Sequence, residues 1–482
     1  MTTSSPPIVH RGSPLRSRGA LALAGGLVLL SAALRYAAGR DGLWLDEIWT
    51  LLLVFDQRLV IWPLDILTHV HHENNHYLNS LWIWLVGPGA DGLWYRLPAM
   101  LAGTVAVPLA GLIARRRSVP GGWLAMLLVG SSYLLIHYSS EARGYASAVA
   151  FALACLECQE RLWLTRDGRW SLGVAACAIL GVLSQPVFLA FYGALLVWSA
   201  CRIWTFPTGR RRGVGQWCQS HLPPLAFIAW LYVVDLRTVV NGGGPIYPIG
   251  EVVVQTLSLI AGGPEAAFTA ALLGLAFILS LAIIWKFDRA WCGLAALGIL
   301  VMPALLLVAV RRQEVYPRYF VIPAVLILLT LAIGMGRLWE RGGSPVRGMC
   351  GMLVGLLLVG NGLHVARLLE RGRGGYAAAL ERMVADTRVP LITVGSDHDF
   401  RNGMLLAYYG QGMARERLQY LPRKQWPPEG PEWYLVHSLD RDFVPEREIV
   451  GGQRHYVLVA YYPTAGLSGW GWGIYRQQNR SD

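Results

Sequence analysis

Long apolar stretches alternate with short polar connections over most of the chain. A helix that crosses a membrane needs roughly 17 to 25 mostly apolar residues. The pattern therefore predicts about eleven membrane-spanning helices, and two of them are separated only by Ser184-Gln185-Pro186. The predicted spans are 19–38, 92–114, 120–137, 145–163, 170–185, 186–203, 221–237, 263–285, 290–310, 318–337 and 347–366.

The pattern changes beyond residue 369. Residues 377–385 and 404–412 repeat apolar positions with a helical period, and the apolar runs at 391–394, 433–436 and 456–461 are typical of strands. This mixture predicts a small α/β domain at residues 369–482. Gly395-Ser396-Asp397 follows the first of these strands, but no full glycine fingerprint follows it, so an ordinary strand-to-helix turn is favoured over a phosphate-binding turn.

The first polar loop, residues 39–91, contains an apolar piece that is too short to cross a membrane. Tyr77–Val86 carries Asn79 and is followed by Gly87-Pro88-Gly89, so we predict a helix that lies along the membrane interface. The predicted fold class is mainly α. It is a polytopic membrane protein with a long first extracytoplasmic loop that carries interfacial helices, and with a small C-terminal extracytoplasmic α/β domain.

Composition agrees with this architecture. Hydrophobic residues make up 54% of the 482-residue chain and charged residues 15%, against roughly 25% charged residues in an ordinary soluble domain. A single soluble globule is therefore excluded. The seven cysteines lie inside or beside apolar stretches, so no disulfide framework is predicted, and Cys155 and Cys158 are interpreted as small core residues of a helix.

The distribution of arginine predicts the topology. Arginine-containing clusters fall on alternate connections, on the same side as the N-terminus, and the positive-inside rule makes this side the cytoplasm. We predict a cytoplasmic tail (1–18), a transmembrane domain (19–368) and an extracytoplasmic domain (369–482), in a bacterial inner or plasma membrane. Because topology explains the net charge of +12, we predict no nucleic-acid partner. The clusters lie at 115–117, 161–169, 202–212, 286–289 and 337–347.

Ionisable residues are costly in hydrocarbon, and here they gather on the predicted outer face. Asp46 and Glu47 follow the first span among aromatic residues, where a carboxylate can serve as a base in a partly dry cleft. The alternative is an interfacial helix whose acids face water. The turn from His137 to Tyr145 contains Glu141 and Arg143, which suit a phosphate and its sugar; alternatively, it merely solvates two helix ends.

Three arginines occur on the predicted outer face, which should be poor in arginine. They are Arg311, Arg312 and Arg318, within a segment that ends at Tyr319-Phe320. This departure from the topology pattern favours a functional role, and an anion is the natural partner for such a cluster.

Residues 72–76 read His-Glu-Asn-Asn-His and match the HExxH pattern. In that pattern, two histidines one helical turn apart bind zinc and the glutamate acts as a base. Two consecutive asparagines are poor helix formers, and no third ligand is evident nearby. A zinc metallopeptidase centred on His72, Glu73 and His76 stays an alternative, as does a metal site without peptidase activity.

Four motifs in this order resemble the glycosyltransferase family 39-like proteins of the glycosyltransferase-C superfamily, over roughly residues 20–340. That family includes protein O-mannosyltransferases and the aminoarabinose transferase that modifies lipid A. The resemblance implies a polytopic enzyme that takes a sugar from a polyprenyl-phosphate donor. The motifs are Leu45-Asp46-Glu47, His72-Glu73-Asn74-Asn75-His76-Tyr77, Tyr138-Ser139-Ser140-Glu141-Ala142-Arg143-Gly144-Tyr145 and Pro317-Arg318-Tyr319-Phe320.

The resemblance also implies roles for the acidic residues. The family's acidic residue after the first span falls on Asp46, with Glu47 beside it, and this base would take the proton of an acceptor hydroxyl as it attacks the anomeric carbon. A second family carboxylate is similar in position to Glu73. The chain departs from the family here, because Asn74-Asn75-His76 stands where prolines are common.

The resemblance places the donor at the third and fourth motifs. Arg143 and Arg318 match the positions expected to hold the lipid phosphate as it leaves, and Glu141, Tyr145 and Tyr319 belong to the same predicted donor site. A single displacement would invert the anomeric configuration. Whether His72, Glu73 and His76 position the acceptor or hold a divalent metal stays open at this point.

The predicted partners are a polyprenyl-phosphate sugar, membrane lipids and an acceptor hydroxyl on a glycan, a lipid or a protein. A transporter or flippase of lipid-linked sugars is a further alternative. Such proteins usually have polar sites near the bilayer midplane and repeated halves, and the sequence shows neither.

Overall fold

A computed structural model of the chain describes residues 18–204, 210–240, 242–310, 315–413, 417–452 and 454–478. The fold is mainly helical, with a small sheet near the C-terminus. Turns of π-helix at Tyr232–Leu236 and Leu297–Val301 continue helices α11 and α14 as defined below, and short 3-10 helices cover Pro317–Phe320 and Arg423–Gln425.

The α-helices alternate with short connections up to residue 371. In chain order they are α1 (Arg18–Gly39), α2 (Leu45–Phe55), α3 (Asp65–Thr68), α4 (Tyr77–Val86), α5 (Gly92–Arg115), α6 (Val119–Ser131), α7 (Tyr133–Ser139), α8 (Tyr145–Thr165), α9 (Arg169–Ser184), α10 (Phe188–Trp204), α11 (Arg210–Leu231), α12 (Ile249–Ala261), α13 (Ala267–Trp285), α14 (Arg289–Ala296), α15 (Met302–Val310), α16 (Val321–Arg341), α17 (Ser344–Arg371), α18 (Tyr376–Asp386) and α19 (Asp399–Met413).

Each of the predicted spans falls mostly on helical residues. By length and apolar composition, five helices of the described chain are able to cross a membrane. A sixth crossing results if α6 and α7, which are bent by 55° at Ser132, form one span. The prediction of about eleven crossings therefore stays a prediction, whereas the apolar helices of an integral membrane protein are present. The five helical segments are Arg18–Gly39, Gly92–Arg115, Ala267–Trp285, Pro317–Arg341 and Ser344–Asp386.

Helix α12 lies in a region that the sequence analysis treated as an outer loop, residues 238–262. Its 13 residues are too few for a span, so the apolar pattern predicts no membrane crossing there. The helix nevertheless buries Val252, Thr256, Leu259 and Ile260, which share one face at helical spacing. Burial of that face against its neighbours stabilises this short helix.

The described chain forms two compact units. Of the described residues, the larger unit contains those within 18–39 and 53–365, and the smaller unit contains those within 40–52 and 366–478. The boundary assigns the segment that carries Asp46 and Glu47 to the smaller unit. The sequence analysis had placed that segment in the first loop of the transmembrane domain.

Among the five helical segments that are able to cross a membrane, the one that contains α16 is the most deeply buried. All residues from Val321 to Arg337 are buried, whereas α1 and α13 expose most of their apolar side chains. Apolar helices with exposed side chains suit contact with lipid tails. Glycines allow α16 and α6 to approach closely, because a Cβ at Gly336 would collide with the backbone N of Gly121.

A network of ion pairs joins the ends of α5, α8 and α14 within the larger unit. Arg116 contacts Glu157 at 2.5 Å and Glu160 at 2.7 Å. Arg117 contacts Glu160 at 2.6 Å and Asp288 at 2.8 Å. The sequence analysis used Arg116 and Arg117 only as signals of topology, and the structure shows that they also hold helices together.

We expect Glu160→Gln to destabilise the larger unit by about 3 kcal/mol, because it leaves two arginines without part of their counter-charge in a mostly buried network. The measurement is the Tm of the detergent-solubilised protein. The control is Asp167→Asn, which breaks a pair with Arg169 whose side chains are 40% and 73% exposed, and which should cost about 0–1 kcal/mol. An equal Tm for both variants would contradict a structural role for the network.

The smaller unit contains a six-stranded sheet with strand order β2-β1-β3-β6-β5-β4. Strand β1 runs parallel to β2 and β3, and the remaining neighbours are antiparallel. In the β1–β3 pair Val394 lies opposite Trp433, and in the β3–β6 pair Leu435 lies opposite Ile474. The predicted small α/β domain is confirmed as a helix-covered sheet. The strands are β1 (Ile392–Ser396), β2 (Leu418–Tyr420), β3 (Trp433–Ser438), β4 (Glu448–Gly451), β5 (Arg454–Tyr462) and β6 (Gly471–Gln477).

Helices α18 and α19 supply the cover of this sheet. The ring of the buried Tyr376 in α18 packs edge-on against Trp472 of β6 at 4.8 Å. A second cluster of buried rings contains Tyr434, Tyr456 and Tyr475. Because aromatic side chains bury large areas, these clusters give the small sheet a core of its own.

Candidate functional site

The turn between α7 and α8 is the first part of the site. The sequence analysis left open whether this turn merely solvates the helix ends, and that alternative is wrong, because every residue from 132 to 146 is buried. Charged side chains in such surroundings need specific partners. Gly144 permits the close packing, since a Cβ there would collide with the carbonyl O of Ser184.

Side chains from α4 and from the end of α7 hold the turn in place. Asn79 Nδ2 donates a hydrogen bond to the carbonyl O of Ala142 at 2.6 Å. Ser140 Oγ donates to the carbonyl O of His137 at 2.9 Å. These bonds satisfy backbone acceptors at a helix end that lies away from water, and they fix the backbone on which Arg143 stands.

Arg143 is 3% exposed and lies among polar groups of the preceding loop. Its Nη2 donates to Asn74 Oδ1 at 3.0 Å and lies 3.0 Å from His76 Nε2. The guanidinium also lies over the ring of Tyr145, with Cζ 5.5 Å from the ring centroid. Residues about seventy positions apart in the chain therefore orient one buried cation.

His76 is a neutral neighbour of that cation. The backbone N–H of Gly144 donates to His76 Nδ1 at 2.9 Å, and the donor Arg143 Nη2 faces His76 Nε2. Both ring nitrogens therefore face donors, which disfavours a second proton on the ring. Burial, together with the positive charges of Arg143 and Arg318, holds the pKa of His76 well below its ordinary value of 6.5. The ring therefore stays uncharged at neutral pH and adds no positive charge beside Arg143.

We expect the protein to lose stability below about pH 6.5 because of His76. The unfolded chain protonates this ring while the folded protein does not, so the free energy of unfolding falls by about 1.4 kcal/mol for each pH unit between the two pKa values. The measurement is Tm against pH, and the wild type should fall more steeply than His76→Gln. His69→Gln, at a side chain that is 62% exposed, should follow the wild type. Equal slopes for the wild type and His76→Gln would refute the assignment.

Arg318 belongs to the same neighbourhood. It is half-buried on the 3-10 helix Pro317–Phe320, and its charge contributes to the lowered pKa of His76. Its Cζ lies 4.5 Å from the centroid of the Tyr316 ring and 5.7 Å from that of Tyr319. Arg311 and Arg312, from the same predicted cluster, lie outside the described residues.

Glu141 does not face solvent. It is fully buried, and its Oε1 lies 3.2 Å from Nε2 of the equally buried His137, one helical turn earlier. A buried carboxylate needs such a partner. Glu141 therefore lies in the buried interior, where its carboxylate interacts with His137.

The His72–His76 segment does not have the geometry of an HExxH zinc site. Outside any helix, His72 forms a parallel β-bridge with Val240, and its Nδ1 accepts the N–H of Asn74 at 3.1 Å. The two consecutive asparagines disfavour a helix, so the two histidines do not share one helical face. Across the described residues, no group of three His, Cys, Asp or Glu side chains is arranged to hold a metal.

Glu73 is half-buried and fixes a second loop. Its backbone N–H donates to the carbonyl O of Val240 at 3.1 Å, and its Oε1 accepts the N–H of Gly242 at 2.9 Å. These bonds hold the segment that contains Asn74 and His76 against residues that follow α11.

Sequence reasoning missed Asp235, which completes this attachment. This buried carboxylate at the end of the α11 region lies 2.5 Å from His71 Nδ1 and accepts a hydrogen bond from Tyr77 Oη. One side chain therefore holds both ends of the segment 71–77. The only sequence signal was a single acidic residue near the end of a predicted span, where charge is costly.

Asp46 and Glu47 begin α2 and belong to the smaller unit. Glu47 is fully buried, and its Oε2 accepts the N–H of Trp44 at 3.1 Å. This contact resembles one half of a capping box. Asp46 is half-buried. The alternative in which both acids face water is therefore wrong for Glu47.

Two contacts hold this segment within the smaller unit. Tyr409 Oη donates to the carbonyl O of Leu43 at 2.6 Å, and the rings of Trp49 and Phe400 meet edge-on at 5.0 Å. Each unit thus contains some of the predicted residues. His76, Arg143 and Tyr145 form one cluster of the larger unit together with Asn74.

The predicted CxxC pair contributes no chemistry to this cluster. All seven cysteines are free thiols. Cys155 is fully buried in α8, and its Sγ lies 3.5 Å from the carbonyl O of Val174 in α9. This contact agrees with its interpretation as a small core residue.

Comparison of the fold with solved structures identifies similar proteins. ArnT from Cupriavidus metallidurans, bound to undecaprenyl phosphate, matches with a TM-score of 0.52 at 12% identity, over 96% of this chain and 99% of that chain. The Archaeoglobus fulgidus oligosaccharyltransferase, tethered to an acceptor peptide with the NVT sequon, matches with a TM-score of 0.50 at 13% identity, over 85% of this chain and 64% of that chain. No protein-family model and no curated protein sequence matches the chain.

These likenesses establish the fold. ArnT, an aminoarabinose transferase, and the oligosaccharyltransferase both have the glycosyltransferase-C fold, and the chain shares it. The resemblance inferred from the four motifs is therefore confirmed at the level of the fold, although the sequences are only 12% and 13% identical.

Proposed function

We propose that the protein is an inverting glycosyltransferase that moves a sugar from a polyprenyl-phosphate donor to an acceptor hydroxyl on the extracytoplasmic side of the membrane. One observation carries this proposal: the buried guanidinium of Arg143 is held by Asn74 and lies 3.0 Å from His76 Nε2, and Arg318 belongs to the same neighbourhood of the larger unit. Two cations beside an uncharged ring suit an anionic ligand, and a fold shared with ArnT makes a lipid phosphate the natural anion.

The arginines stabilise the leaving group in this mechanism. As the bond between the anomeric carbon and the phosphate oxygen breaks, negative charge grows on the lipid phosphate, and preoriented donors stabilise that charge. Arg143 is held by Asn74 and packed against Tyr145, so it needs little reorganisation during the reaction. Because phosphate is a good leaving group, no strong general acid is required.

Asp46 is the base in this mechanism. Its carboxylate takes the proton of the acceptor hydroxyl while the hydroxyl oxygen attacks the anomeric carbon. Attack opposite the leaving phosphate inverts the configuration at that carbon. Of the two adjacent acids, Asp46 is half-buried while Glu47 is buried and accepts the N–H of Trp44, so Asp46 is better placed to exchange a proton with a substrate.

In this proposal Glu73 and His76 have positioning roles: Glu73 holds a loop, and His76 holds the turn that carries Arg143. Glu73 attaches its loop to residues near Gly242, and His76 packs against Arg143 and Gly144. The acceptor is a hydroxyl of a glycan, a lipid or a protein. We propose that the protein lies in a bacterial inner or plasma membrane, with its N-terminus in the cytoplasm and residues 369–482 outside.

The test is transfer of radiolabelled sugar by the purified full chain. A panel of short-chain polyprenyl-phosphate sugars is offered with a membrane extract as acceptor, and the anomeric configuration of the product is determined by NMR. We expect transfer from at least one donor, with inversion. A folded protein that transfers no sugar from any donor contradicts the proposal, and retention contradicts the single displacement. A parallel reaction with EDTA decides whether a divalent metal takes part.

A further inference from the structure

A second cluster of ionisable side chains lies in the smaller unit, at the carboxyl ends of β1 and β3. These two parallel strands are neighbours, but the chain continues from them to opposite sides of the sheet. Helix α19 leads from β1 to β2 on one side, and β3 is followed by β4, β5 and β6, which lie on the other side. In open α/β sheets, ligands bind in the crevice at such a reversal of strand order. The cluster lies at these two strand ends.

Asp397 and His437 connect the two strand ends. The carboxylate of Asp397 lies 2.8 Å from His437 Nδ1 and accepts the backbone N–H of His437 at 3.1 Å. Asn402 Nδ2 donates to the same carboxylate at 3.0 Å. Three donors therefore satisfy Asp397, whose main effect is to hold the His437 ring in one orientation.

This orientation also fixes Arg401. Arg401 Nη1 lies 3.0 Å from His437 Nε2. Because a guanidinium only donates, Nε2 is the acceptor, and the N–H at His437 Nδ1 donates its hydrogen bond to the carboxylate of Asp397. Arg401 Cζ also lies 5.7 Å from the centroid of the Trp470 ring. Neither of these partners is a carboxylate, and no ion pair joins Arg401 to a carboxylate among the described residues. Arg401 is thus a preoriented cation that the described part of the chain does not pair with an acid.

Two further donors belong to the cluster. His398 Nδ1 accepts the backbone N–H of Arg401 at 3.3 Å, so a neutral His398 presents its N–H at Nε2. Burial and the charge of Arg401 lower the pKa of His398, which favours this neutral form. Trp470 is 3% exposed, and its Nε1–H has no hydrogen-bond partner among the described residues. Its ring packs against His437 at 5.8 Å.

We propose that the carboxyl ends of β1 and β3 form a phosphate-binding site, in which Arg401 is the principal ligand group and His398 and Trp470 supply further donors. Phosphate fits because it combines negative charge with several acceptor oxygens, which match a guanidinium fork and single N–H donors. Nearby Asp399 does not compete for these donors, because its carboxylate accepts Tyr420 Oη and the N–H of Arg423.

Two ligands of the same chemistry fit the proposed site: free phosphate and the headgroup of a lipid phosphate monoester. This site goes beyond the proposed transfer reaction, because its residues lie in the smaller unit and none of them takes part in the proposed mechanism. A buried, unbonded Trp470 Nε1–H is costly in a folded protein, and a bound phosphate oxygen would satisfy it.

The test is ³¹P NMR line broadening with the full chain in detergent. Inorganic phosphate and a short-chain phosphatidic acid are titrated separately, which distinguishes the two sources. The wild type should broaden the signal of at least one ligand. Arg401→Gln should abolish this effect, and Trp470→Phe, which keeps a ring but removes the N–H, should weaken binding about 10-fold. The matched control is Arg454→Gln, at an exposed position on β5, which should bind as the wild type does.

The variants separate this site from the proposed donor site. Arg143→Gln should keep the part of the ³¹P line broadening that Arg401→Gln removes, because Arg143 belongs to the larger unit. Broadening that Arg143→Gln abolishes and Arg401→Gln leaves intact would overturn the proposal, as would the absence of broadening by the folded wild type. Failure of sugar transfer in the radiolabel assay does not affect these outcomes, because the NMR experiment measures binding alone.

Discussion

We expect Asp46→Asn to lower the rate of sugar transfer by about 10²- to 10⁴-fold without lowering the Tm. An amide has nearly the volume of the carboxylate but cannot accept the proton of the acceptor hydroxyl. Asp46 is half-buried in the first turn of α2, so the change creates neither a cavity nor an uncompensated buried charge. The measurement is kcat with the donor identified in the panel, together with the Tm of the same preparation.

Two neighbouring acids serve as controls for Asp46. Asp56 follows the last residue of α2 and pairs with the exposed Arg58 at 2.8 Å, so Asp56→Asn should transfer at the wild-type rate. Glu47→Gln changes a fully buried group that accepts the N–H of Trp44, and we expect it to lower the Tm more than the rate. A wild-type rate for Asp46→Asn excludes it as the base. A larger loss for Glu47→Gln at unchanged Tm assigns the base to Glu47.

The positions of the helices were predictable, but their bends were not. The apolar stretch 120–137 reads as one span, yet the structure breaks it into α6 and α7 at Ser132. The break frees the backbone N–H of Tyr133, and Asn361 Oδ1 accepts it at 2.7 Å. This hydrogen bond removes the cost of an unsatisfied N–H in an apolar region. Its acceptor lies more than 200 residues away in the chain, and no local pattern can reveal such a partner.

The positive-inside rule located the arginine clusters without revealing their partners. Counting charge on the connections treats Arg116 and Arg117 as solvated, whereas Glu157 and Glu160 bind them across helices. Those glutamates lie one turn apart in α8, at the end of a predicted span, where they were not considered. Topology prediction depends on the number of charges on each connection, whereas stability depends on which charged side chains form ion pairs.

The candidate site was partly predictable for a similar reason. Arg143 and Tyr145 were found because they stand in a compact motif that resembles a known family. Asn74 stands in a quoted motif, but its contact with Arg143 was not predicted, and Asp235, which holds the loop of Asn74, was missed. Their roles depend on contacts between distant parts of the chain. The HExxH alternative fails because it requires a helix at residues 72–76. Consecutive asparagines disfavour a helix there, and His72 instead forms a β-bridge with Val240.

The second large effect concerns Arg143. We expect Arg143→Gln to lower kcat/KM for the lipid-linked donor by about 10²- to 10³-fold, because it removes a positive charge that stabilises the leaving phosphate. Arg143→Lys should give an intermediate value, since it keeps a charge but cannot reproduce the planar fork held by Asn74. The measurement is kcat/KM at several donor concentrations. Arg169→Gln, which changes a side chain that is 73% exposed, is the matched control.

A double-mutant cycle tests whether Asn74 acts through Arg143. Asn74 Oδ1 accepts a hydrogen bond from Arg143 Nη2 at 3.0 Å, so Asn74→Ala should lower kcat/KM by about 10-fold in the wild type by releasing the guanidinium. In the Arg143→Gln background the same change should have little further effect, because residues in direct contact are not additive. Additive losses would show that Asn74 contributes independently of Arg143. A wild-type kcat/KM for folded Arg143→Gln would remove this arginine from the proposed leaving-group site.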